Sequence, residues 1–344
     1  METYLTAALL LAGFYMAWNI GANDLANAMG TVVGTGALSI RQVIVLAAGF
    51  EFLGAVFFGQ RVTSTIAKGI VPIDLIGNQG EIGTQMVVLG MLAATLAAGL
   101  WVTLATFYNL PVSTSHATVG GVLGFGLSTA YLGAIPFSAI NWPVMLRIVT
   151  SWFISPVMGA ILGFSLFVLI RALVLHRVEG DVEKYFVPLQ VLTACYIAFA
   201  HGSNDVASAV GPITAAFTAF GIIGKEVPDW IFVFGGLGMV LGLATWGYRV
   251  IETIGSKITE LTPSRGFSAQ FATASVVLLH SYISLPISTT HILVGSVIGV
   301  GLAGGLSSVD LSVIWKIFFS WIVTVPVAAA TSALIFLGLE GVGV

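Results

Sequence analysis

Two short polar segments, GANDLANAMG at residues 21–30 and HGSNDVASAVG at residues 201–211, interrupt apolar sequence and decide how this chain folds. Gly, Asn and Asp recur in the same order in both segments, and 181 residues separate Asp24 from Asp205. Chance similarity between apolar segments matches Leu, Val and Ala, whereas these matches include polar residues. The chain is therefore predicted to consist of two related repeats.

A second pair of segments supports the duplication. LPVSTSHATVGGVLG at residues 110–124 recurs as LPISTTHILVGSVIG at residues 285–299, at an offset of 175 residues and in the same order relative to the first pair. Paired repeats whose hydrophobic segments are interrupted at equivalent positions are typical of secondary transporters with a binding site near the membrane midplane.

Composition places the chain in a membrane. Of its 344 residues, 57% are apolar and only 8% are charged, and the mean hydropathy is +1.02, far from the range of soluble proteins. A net charge of -3 provides no basic surface for nucleic acid. A single cysteine, Cys195, excludes a disulfide framework or a thiolate metal cluster within this chain. The N-terminus lacks signal-peptide features and is read as a mature span.

Apolar stretches long enough to span a bilayer recur in both halves of the sequence, with Glu51 and Lys316 the charged residues within them. They cover residues 4–20, 42–59, 84–108, 110–134, 148–170, 187–203, 230–248, 267–285, 285–306 and 311–338. We expect an all-α integral membrane protein with about 10–12 transmembrane helices in two inverted repeats and with broken or re-entrant helices at the midplane. The first repeat is assigned to residues 1–175, a short charged linker to 176–187 and the second repeat to 188–344.

Residues 4–40 and 187–224 form apolar stretches that are too long for one straight span, since 37 helical residues would extend about 55 Å. Each is expected to break at its Asn-Asp segment, with the irregular backbone facing protein or a water-filled cavity. Simple alternation of spans places eight Lys and Arg on the linker side and four on the other. This bias predicts a cytoplasmic linker, extracytoplasmic termini and a multi-pass location in the plasma or inner membrane.

Two acids at membrane depth point to a cation site. An ionisable group at the bilayer centre costs at least about 2.5–3.5 kcal/mol, so it is functional by default, although a carboxylate could also cap broken backbone. Carboxylate, amide and backbone oxygens suit a hard cation such as sodium, and a proton on either acid is the competing use. The predicted sodium ligands are Asn23, Asp24, Asn27, Asn204, Asp205 and Ser208.

The second pair of segments predicts an anion site. Pro111 and Pro286 each precede three hydroxyl residues at the apparent start of a helix, where unpaired N–H groups and the helix dipole favour an oxyanion. Alternatively, the hydroxyls cap their own helices. The predicted phosphate ligands are Ser113, Thr114, Ser115, Ser288, Thr289 and Thr290.

The charge balance of these two sites predicts cotransport. No Lys or Arg lies inside either pair of segments. Two helix N-termini supply about one positive charge, while two carboxylates add two negative charges. A bound anion therefore needs coupled cations, and binding of each would favour the other.

Five further residues are weaker candidates. His116 and His291 follow the hydroxyl clusters and could orient them or accept a proton. His201 has no counterpart, because Ile20 stands before Gly21, so it is expected to bond its helix rather than a ligand. Glu51, with Met239 at its repeat position, could pair with Arg61 or line the pathway; the remaining candidate is Gln270. The glycine pairs 120 with 124 and 295 with 299 predict close helix packing.

The paired segments resemble the two signatures of the inorganic phosphate transporter (PiT) family over essentially the whole chain. The resemblance implies a secondary phosphate transporter with inverted repeats and a cytoplasmic linker, coupled to sodium in eukaryotic members and to protons in many bacterial ones, which take a metal-phosphate complex. Ser208 departs from an Asn common in the second signature, and Gln270 stands where animal members carry Glu. The linker is also far shorter than theirs.

The predicted function is sodium-coupled phosphate symport by alternating access, without a cofactor and without enzymatic chemistry. The expected partners are inorganic phosphate, sodium ions and the lipid bilayer, a homodimer being one assembly the sequence allows. Proton-coupled transport of phosphate, metal-phosphate or sulfate is the alternative within this class. An anion channel is a second alternative, and a phosphoester hydrolase would need a nucleophile or metal cluster that the sequence does not provide.

Overall fold

The computed structural model of the chain describes residues 2–177, 180–224, 226–251, 262–305 and 311–342. These residues are helical almost throughout and contain no β-strand, as predicted. The helices are α1 (Glu2–Gly34), α2 (Ile40–Phe58), α3 (Gln60–Ser64), α4 (Ile73–Gly77), α5 (Glu81–Phe107), α6 (Thr114–Tyr131), α7 (Trp142–Ile170), α8 (Glu183–Ala219), α9 (Asp229–Trp246), α10 (Pro263–Tyr282), α11 (Thr289–Gly304) and α12 (Leu311–Val342). Single π-helical turns cover Thr65–Gly69 and Arg171–Leu175.

Ten of the described helices are sixteen residues or longer, and their positions match the ten predicted stretches. Seven of them, α1, α2, α5, α7, α8, α9 and residues Phe318–Gly341 of α12, are long and apolar enough to cross a bilayer. The other three, α6, α10 and α11, are shorter or more polar and lie largely buried. The predicted all-helical membrane fold is confirmed.

The Asn-Asp segments, however, do not break their helices. Helix α1 is continuous over 33 residues and α8 over 37 residues, so the predicted break within each is wrong. Ala and Asn accept helical backbone, and a helix of about 50 Å spans a thinner hydrocarbon layer by tilting or by extending beyond it. The free backbone carbonyls expected beside Asp24 and Asp205 are consequently engaged in helical hydrogen bonds.

The interruptions occur instead at the second pair of segments. Helix α5 ends in a turn with Asn109 in the left-handed region (φ 56°), and α10 ends likewise with Ser284 (φ 62°). Each turn is closed by a backbone hydrogen bond typical of a helix C-cap, from Leu110 to Ala105 and from Leu285 to His280. The chain then runs extended into α6 or α11, so the predicted interruption of helices is present at these two places.

The two repeats pack crosswise around a centre formed by α1 and α8. Helix α2 of the first repeat packs on α8, and α9 of the second repeat packs on α1. Close approach requires glycine here: a Cβ atom on Gly21 would lie 1.9 Å from the Met239 carbonyl oxygen, and one on Gly202 would lie 2.0 Å from that of Glu51. Five of the described long helices precede the linker and five follow it, as expected for two related repeats.

The outer helices follow the same exchange, since α7 packs on α11 and α12 packs on α6. The predicted glycine faces lie in these contacts. A Cβ atom on Gly124 would lie 2.2 Å from the Ala329 carbonyl oxygen, and one on Gly299 would lie 2.0 Å from that of Ala160. Both pairs of helices therefore depend on a residue without a side chain at the crossing point.

Helix α8 begins at Glu183, inside the segment 176–187 that the sequence assigns to the linker. The Glu183 carboxylate accepts hydrogen bonds from the Ser264 backbone N–H (2.8 Å) and hydroxyl (2.7 Å), which join the first turn of α8 to that of α10. The division into repeats 1–175 and 188–344 stays a prediction.

Candidate functional site

Asp24 on α1 and Asp205 on α8 lie at the centre of the molecule, at most 1% exposed. Each accepts a hydrogen bond from the middle hydroxyl of its own repeat's cluster. Thr114 Oγ1 donates to Asp24 Oδ2 (3.0 Å), and Thr289 Oγ1 donates to Asp205 Oδ2 (3.0 Å). The two kinds of repeated segment therefore meet in one buried centre, which we call the carboxylate–hydroxyl centre.

The outer members of each cluster have distinct contacts. Ser113 and Ser288 are helix N-caps, whose Oγ atoms accept the third-residue backbone N–H at 3.2 Å. This is the capping alternative that the sequence left open. Ser115 Oγ donates to the Ile287 carbonyl oxygen (2.7 Å), and Thr290 Oγ1 donates to that of Val112 (3.2 Å). The two clusters thus bond across the pseudo-twofold axis and face each other.

Asn23 and Asn204 hold the turns that precede these clusters. Asn23 Nδ2 donates to the Leu110 carbonyl oxygen (3.1 Å), and its Oδ1 accepts the Val112 N–H (3.2 Å). Asn204 makes the equivalent bonds to Leu285 (3.3 Å) and Ile287 (3.3 Å). Both ends of each amide are occupied by the turn, and sodium coordination by either residue stays a prediction.

A hydroxyl completes each of these arrangements, and sequence reasoning missed both. Asn23 Nδ2 also donates to Thr106 Oγ1 (2.9 Å), and Asn204 Nδ2 donates to Ser281 Oγ (3.0 Å). Thr106 and Ser281 lie 175 residues apart, the same offset as the hydroxyl clusters. Extending the repeat comparison upstream of Pro111 would have identified them.

Asn27 and Ser208 occupy equivalent positions one turn after the acids. Asn27 Nδ2 donates to Asp24 Oδ1 (2.6 Å) and Thr290 Oγ1 (2.8 Å). Asn27 Oδ1 and Ser208 Oγ are buried and have no hydrogen-bond partner among the described residues. Buried polar atoms are normally paired, so two unpaired oxygens beside two carboxylates suit a hard cation.

His201 was expected to bond its own helix, and it does contact Asp205 one turn further along α8, but it also contacts two acids on other helices. Its Nε2 atom lies 3.0 Å from Asp205 Oδ2 and 3.5 Å from Asp24 Oδ2. Its Nδ1 atom lies 3.2 Å from Glu51 Oε1, and both side chains are fully buried. Ligand atoms of Asp24, His201 and Asp205 all lie within 4.8 Å of one another. His201 therefore connects Asp205 on its own helix to Asp24 on α1 and Glu51 on α2, and its role toward a ligand stays a prediction.

Glu51 consequently contacts His201 and does not pair with Arg61, which was one of the two roles predicted for it. Arg61 Nη1 donates to the Tyr282 carbonyl oxygen at 3.1 Å. Glu51 and His201 each depart from the repeat pattern, whose equivalent residues are Met239 and Ile20. A search for positions at which the two repeats differ, rather than agree, would have identified Glu51 and His201 together.

His116 and His291 lie on the opposite side of the hydroxyl clusters from the carboxylates. Their rings are 4.4 Å apart between centroids, and each stacks on a tryptophan, Trp152 at 3.7 Å and Trp321 at 3.5 Å. These four rings line an apolar cavity of about 550 Å³ between α7 and α12. The two imidazoles thus pack against these tryptophans, while the backbone N–H groups of His116 and His291 donate to Ser113 Oγ and Ser288 Oγ.

Gln270 is buried on α10, between α1 and α8. Its Nε2 atom donates to the Ala28 carbonyl oxygen (3.3 Å), and its Oε1 atom accepts from Thr193 Oγ1 (2.9 Å). Gln270 therefore links the packing of α10 to that of both central helices. Among the described residues, the hydrogen bonds of Gln270 do not reach Asp24 or Asp205, and its participation in the site stays a prediction.

The centre carries a net negative charge when its three acids are ionised. Among the described residues no Lys or Arg forms an ion pair with Asp24, Asp205 or Glu51, and His201 is the basic group in contact with all three. Three buried carboxylates and one imidazole leave a deficit of positive charge that water cannot screen at this depth. Mobile cations are the natural complement of such a centre.

Comparisons with known proteins show the family to which the chain belongs. The model of the phosphate transporter family matches residues 20–332. A candidate phosphate permease of Pyrococcus abyssi is 40% identical, with 98% of each chain covered. The chloroplastic inorganic phosphate transporter 2-1 of Arabidopsis thaliana is 39% identical over 96% of this chain and 71% of its own length.

A solved structure, described as the sodium-dependent phosphate transporter, resembles the whole fold. It superimposes with a TM-score of 0.89 at 37% sequence identity, covering 98% of this chain and 99% of the other. At that coverage the similarity extends through both repeats.

Proposed function

The chain belongs to the phosphate transporter family, whose members are transporters and not enzymes, and on that premise we propose that it is a sodium-coupled symporter of inorganic phosphate. The observation that carries this proposal is the direct bond between each acid and a helix-capping cluster, Asp24 with Thr114 and Asp205 with Thr289. Groups suited to a cation and groups suited to an oxyanion therefore share hydrogen bonds.

Sharing these bonds couples the two ligands. Without a cation, the Thr114 hydroxyl donates its proton to Asp24, and so it is not free to donate to phosphate. A sodium ion bound to Asp24 would compete for the carboxylate lone pairs and release the hydroxyl. Thr289 and Asp205 repeat this exchange in the other half. Each bound sodium thereby adds a positive charge and frees a donor, which is a reciprocal coupling of the two affinities.

The proposed ligands follow from the contacts. Sodium is held by Asp24, Asp205 and the unpaired oxygens of Asn27 and Ser208. Phosphate lies between the N-termini of α6 and α11, where first-turn N–H groups are available. Asn23 and Asn204 act by holding the turns that carry these helices. Alternating access then moves one helix bundle against the other around the centre.

Proton coupling is the second candidate, and His201 is the observation that favours it. A buried imidazole in contact with three carboxylates is a group that could carry a proton through the cycle. In that mechanism the proton, rather than sodium, would offset the negative charge of the centre.

Uptake of radiolabelled phosphate into proteoliposomes, under an imposed sodium gradient or an imposed pH gradient, tests both candidates. We expect accumulation above the external concentration with inward sodium alone. Uptake that follows the pH gradient and ignores sodium would establish the second candidate and refute the first. Downhill equilibration without accumulation would indicate a channel. Excess unlabelled sulfate should leave uptake unchanged, whereas competition by sulfate would place sulfate among the substrates.

The proposed location is the plasma or inner membrane, with the linker in the cytoplasm and both termini outside. Tyr4 is 82% exposed near the N-terminus, so Tyr4→Cys in a Cys195→Ser background provides a reporter. An impermeant thiol reagent applied to intact cells should label it, and labelling only after lysis would reverse the orientation. A homodimer stays one assembly the chain allows, which the mass in detergent tests.

A further inference from the structure

A cavity of about 330 Å³ lies beside the first turns of α7, outside the carboxylate–hydroxyl centre. Leu285 contributes to its wall and belongs to the turn whose carbonyl oxygen accepts from Asn204. Since Leu285 precedes Ser288 by three residues, at most about 11 Å of extended chain separates the two. The cavity is lined by Leu146, Arg147, Thr150, Ser151, Ile154, His280 and Leu285.

Its polar lining suits an oxyanion. Arg147 is exposed and has no carboxylate within 4.0 Å among the described residues. His280 is 5% exposed, and its Nδ1 atom is 2.8 Å from the Val276 carbonyl oxygen, so Nε2 is the ring nitrogen left for another partner. Thr150 adds an exposed hydroxyl, and none of the residues that line the cavity is acidic. A guanidinium with neighbouring donors is a common phosphate-binding arrangement.

A second guanidinium lies against the same turn. Arg61 Nη1 donates to the Tyr282 carbonyl oxygen (3.1 Å), and Thr65 Oγ1 donates to that of Ser284 (2.7 Å). Positive charge is therefore gathered at the turn that leads into the second hydroxyl cluster. The buried centre itself contains none from Lys or Arg among the described residues.

Among the described residues, the equivalent place in the other half of the molecule has a largely apolar lining. There a cavity of about 410 Å³ is walled by Ala105 and Leu110, the repeat counterparts of His280 and Leu285. Phe319 stands at the position of Thr150, and Trp101, Tyr108 and Trp315 complete an aromatic lining. The two cavities are thus related by the repeat and differ in their described linings, while Lys316, which stands at the position equivalent to Arg147, has a side chain outside the described residues.

We propose that the Arg147 cavity is an encounter site for free hydrogen phosphate on the entry side of the transporter. This inference rests on the proposed function for its substrate and direction. Arg147 lies at the end of α7 opposite to the linker, which is the extracytoplasmic end if the linker is cytoplasmic. An exposed cation at the mouth raises the local anion concentration, and the site then delivers phosphate to the helix N-terminus of α11.

The first test is kinetic and uses Arg147→Gln in proteoliposomes. We expect the KM for external phosphate to rise about three- to tenfold, as for a lost charge-assisted contact at a partly exposed site, with an unchanged maximal rate. Arg147→Lys should restore most of the affinity. Arg41→Gln is the matched control, because Arg41 is also exposed but does not line the cavity. An unchanged KM in Arg147→Gln would overturn the proposal.

A phosphate group could also come from a lipid headgroup, so the same measurement is made in two lipid mixtures. Vesicles of phosphatidylcholine alone are compared with vesicles containing phosphatidylglycerol. The encounter site requires the same rise in KM in both. A variant whose KM is unchanged, but which no longer responds to phosphatidylglycerol, would show that Arg147 binds lipid instead.

A second test does not depend on transport. Thr150→Cys in a Cys195→Ser background places one thiol in the cavity, and its reaction with a cationic thiol reagent is timed in sodium-free medium. Inorganic phosphate should slow the reaction at least twofold at constant ionic strength, and adding Arg147→Gln should abolish this protection. Protection without sodium-driven uptake would retain the site and refute the symport. Uptake without protection would do the reverse.

Discussion

His201 Nδ1 lies 3.2 Å from Glu51 Oε1 at the centre of the molecule, and neither residue has a counterpart in the other repeat. The equivalent positions hold Ile20 and Met239, so the pair exists on one side of the pseudo-twofold axis alone. It adds to the difference between the two acids, because His201 Nε2 is closer to Asp205 (3.0 Å) than to Asp24 (3.5 Å), and among the described residues only Asp24 accepts from an amide, that of Asn27. Two nearly symmetric half-sites thus acquire different surroundings.

Replacing Glu51 by Gln should reduce phosphate uptake at least about tenfold, since buried charged contacts are worth roughly 1.5–3 kcal/mol. The neutral amide no longer offsets His201, and so the imidazole no longer holds its place between the two acids. The measurement is initial uptake as a function of sodium. Glu81→Gln, an exposed acid in the first turn of α5, is the control and should stay within twofold of the parent. Equal behaviour of the two variants would remove Glu51 from the site.

Asp24→Asn and Asp205→Asn should each lose the sodium response of phosphate uptake. Each change removes one of the carboxylates that the proposal assigns to sodium, yet keeps a shape that can accept from Thr114 or Thr289. We expect a half-saturating sodium concentration more than tenfold higher, or no measurable stimulation. If both variants keep the parent sodium curve, the cation site must lie elsewhere.

Asn23→Ala and Asn204→Ala should destabilise the protein by about 1–3 kcal/mol each, the cost of leaving buried backbone groups unpaired. Each amide bonds a carbonyl oxygen and an N–H of the turn before a hydroxyl cluster. Thermal unfolding in detergent measures the loss. Asn78→Ala, at an exposed position, should leave the melting temperature within a degree or two. A melting temperature unchanged in all three variants would show that the turns hold without the amides.

Gly299→Ala should lower thermal stability markedly, because its Cβ atom would lie 2.0 Å from the Ala160 carbonyl oxygen and would push α7 and α11 apart. Overpacking of this kind typically costs about 1–3 kcal/mol. Gly49→Ala in α2 is the matched control, since its Cβ atom would meet nothing within 4 Å. The control should be as stable as the parent or more so. Equal melting temperatures for the two variants would contradict the close packing.

The sequence predicted the transmembrane helices and the positions at which the hydroxyl clusters begin helices. Ten apolar stretches became ten long helices, because burial in lipid requires internally bonded backbone over a set length. The hydroxyl clusters begin helices as predicted, since Ser113 and Ser288 have the local chemistry of N-caps. Helix formation and helix capping depend on residues that are close neighbours in the chain, so both can be predicted from the sequence.

The break expected at the Asn-Asp segments was wrong for the complementary reason. Gly, Asn and Asp are weak helix formers in isolation, but α1 and α8 pack against α9 and α2 on those glycines. Tertiary contacts outweigh local preference there. Similarly, two of the three carboxylate partners of His201 come from other helices, Asp24 from α1 and Glu51 from α2, and only the packing of those helices on α8 brings them together.

The amino-acid sequence by itself determined a two-repeat helical membrane protein with acids, amides and hydroxyls at matching positions. Composition and the distance between repeated segments can both be measured along the chain without a structure. Only the tertiary structure decided which of these side chains meet: Thr114 with Asp24, Asn23 with the turn, and His201 with Glu51. Contacts between residues 80 or more positions apart depend on how helices cross. That crossing is set by the packing of small residues across the whole molecule, which no local pattern encodes.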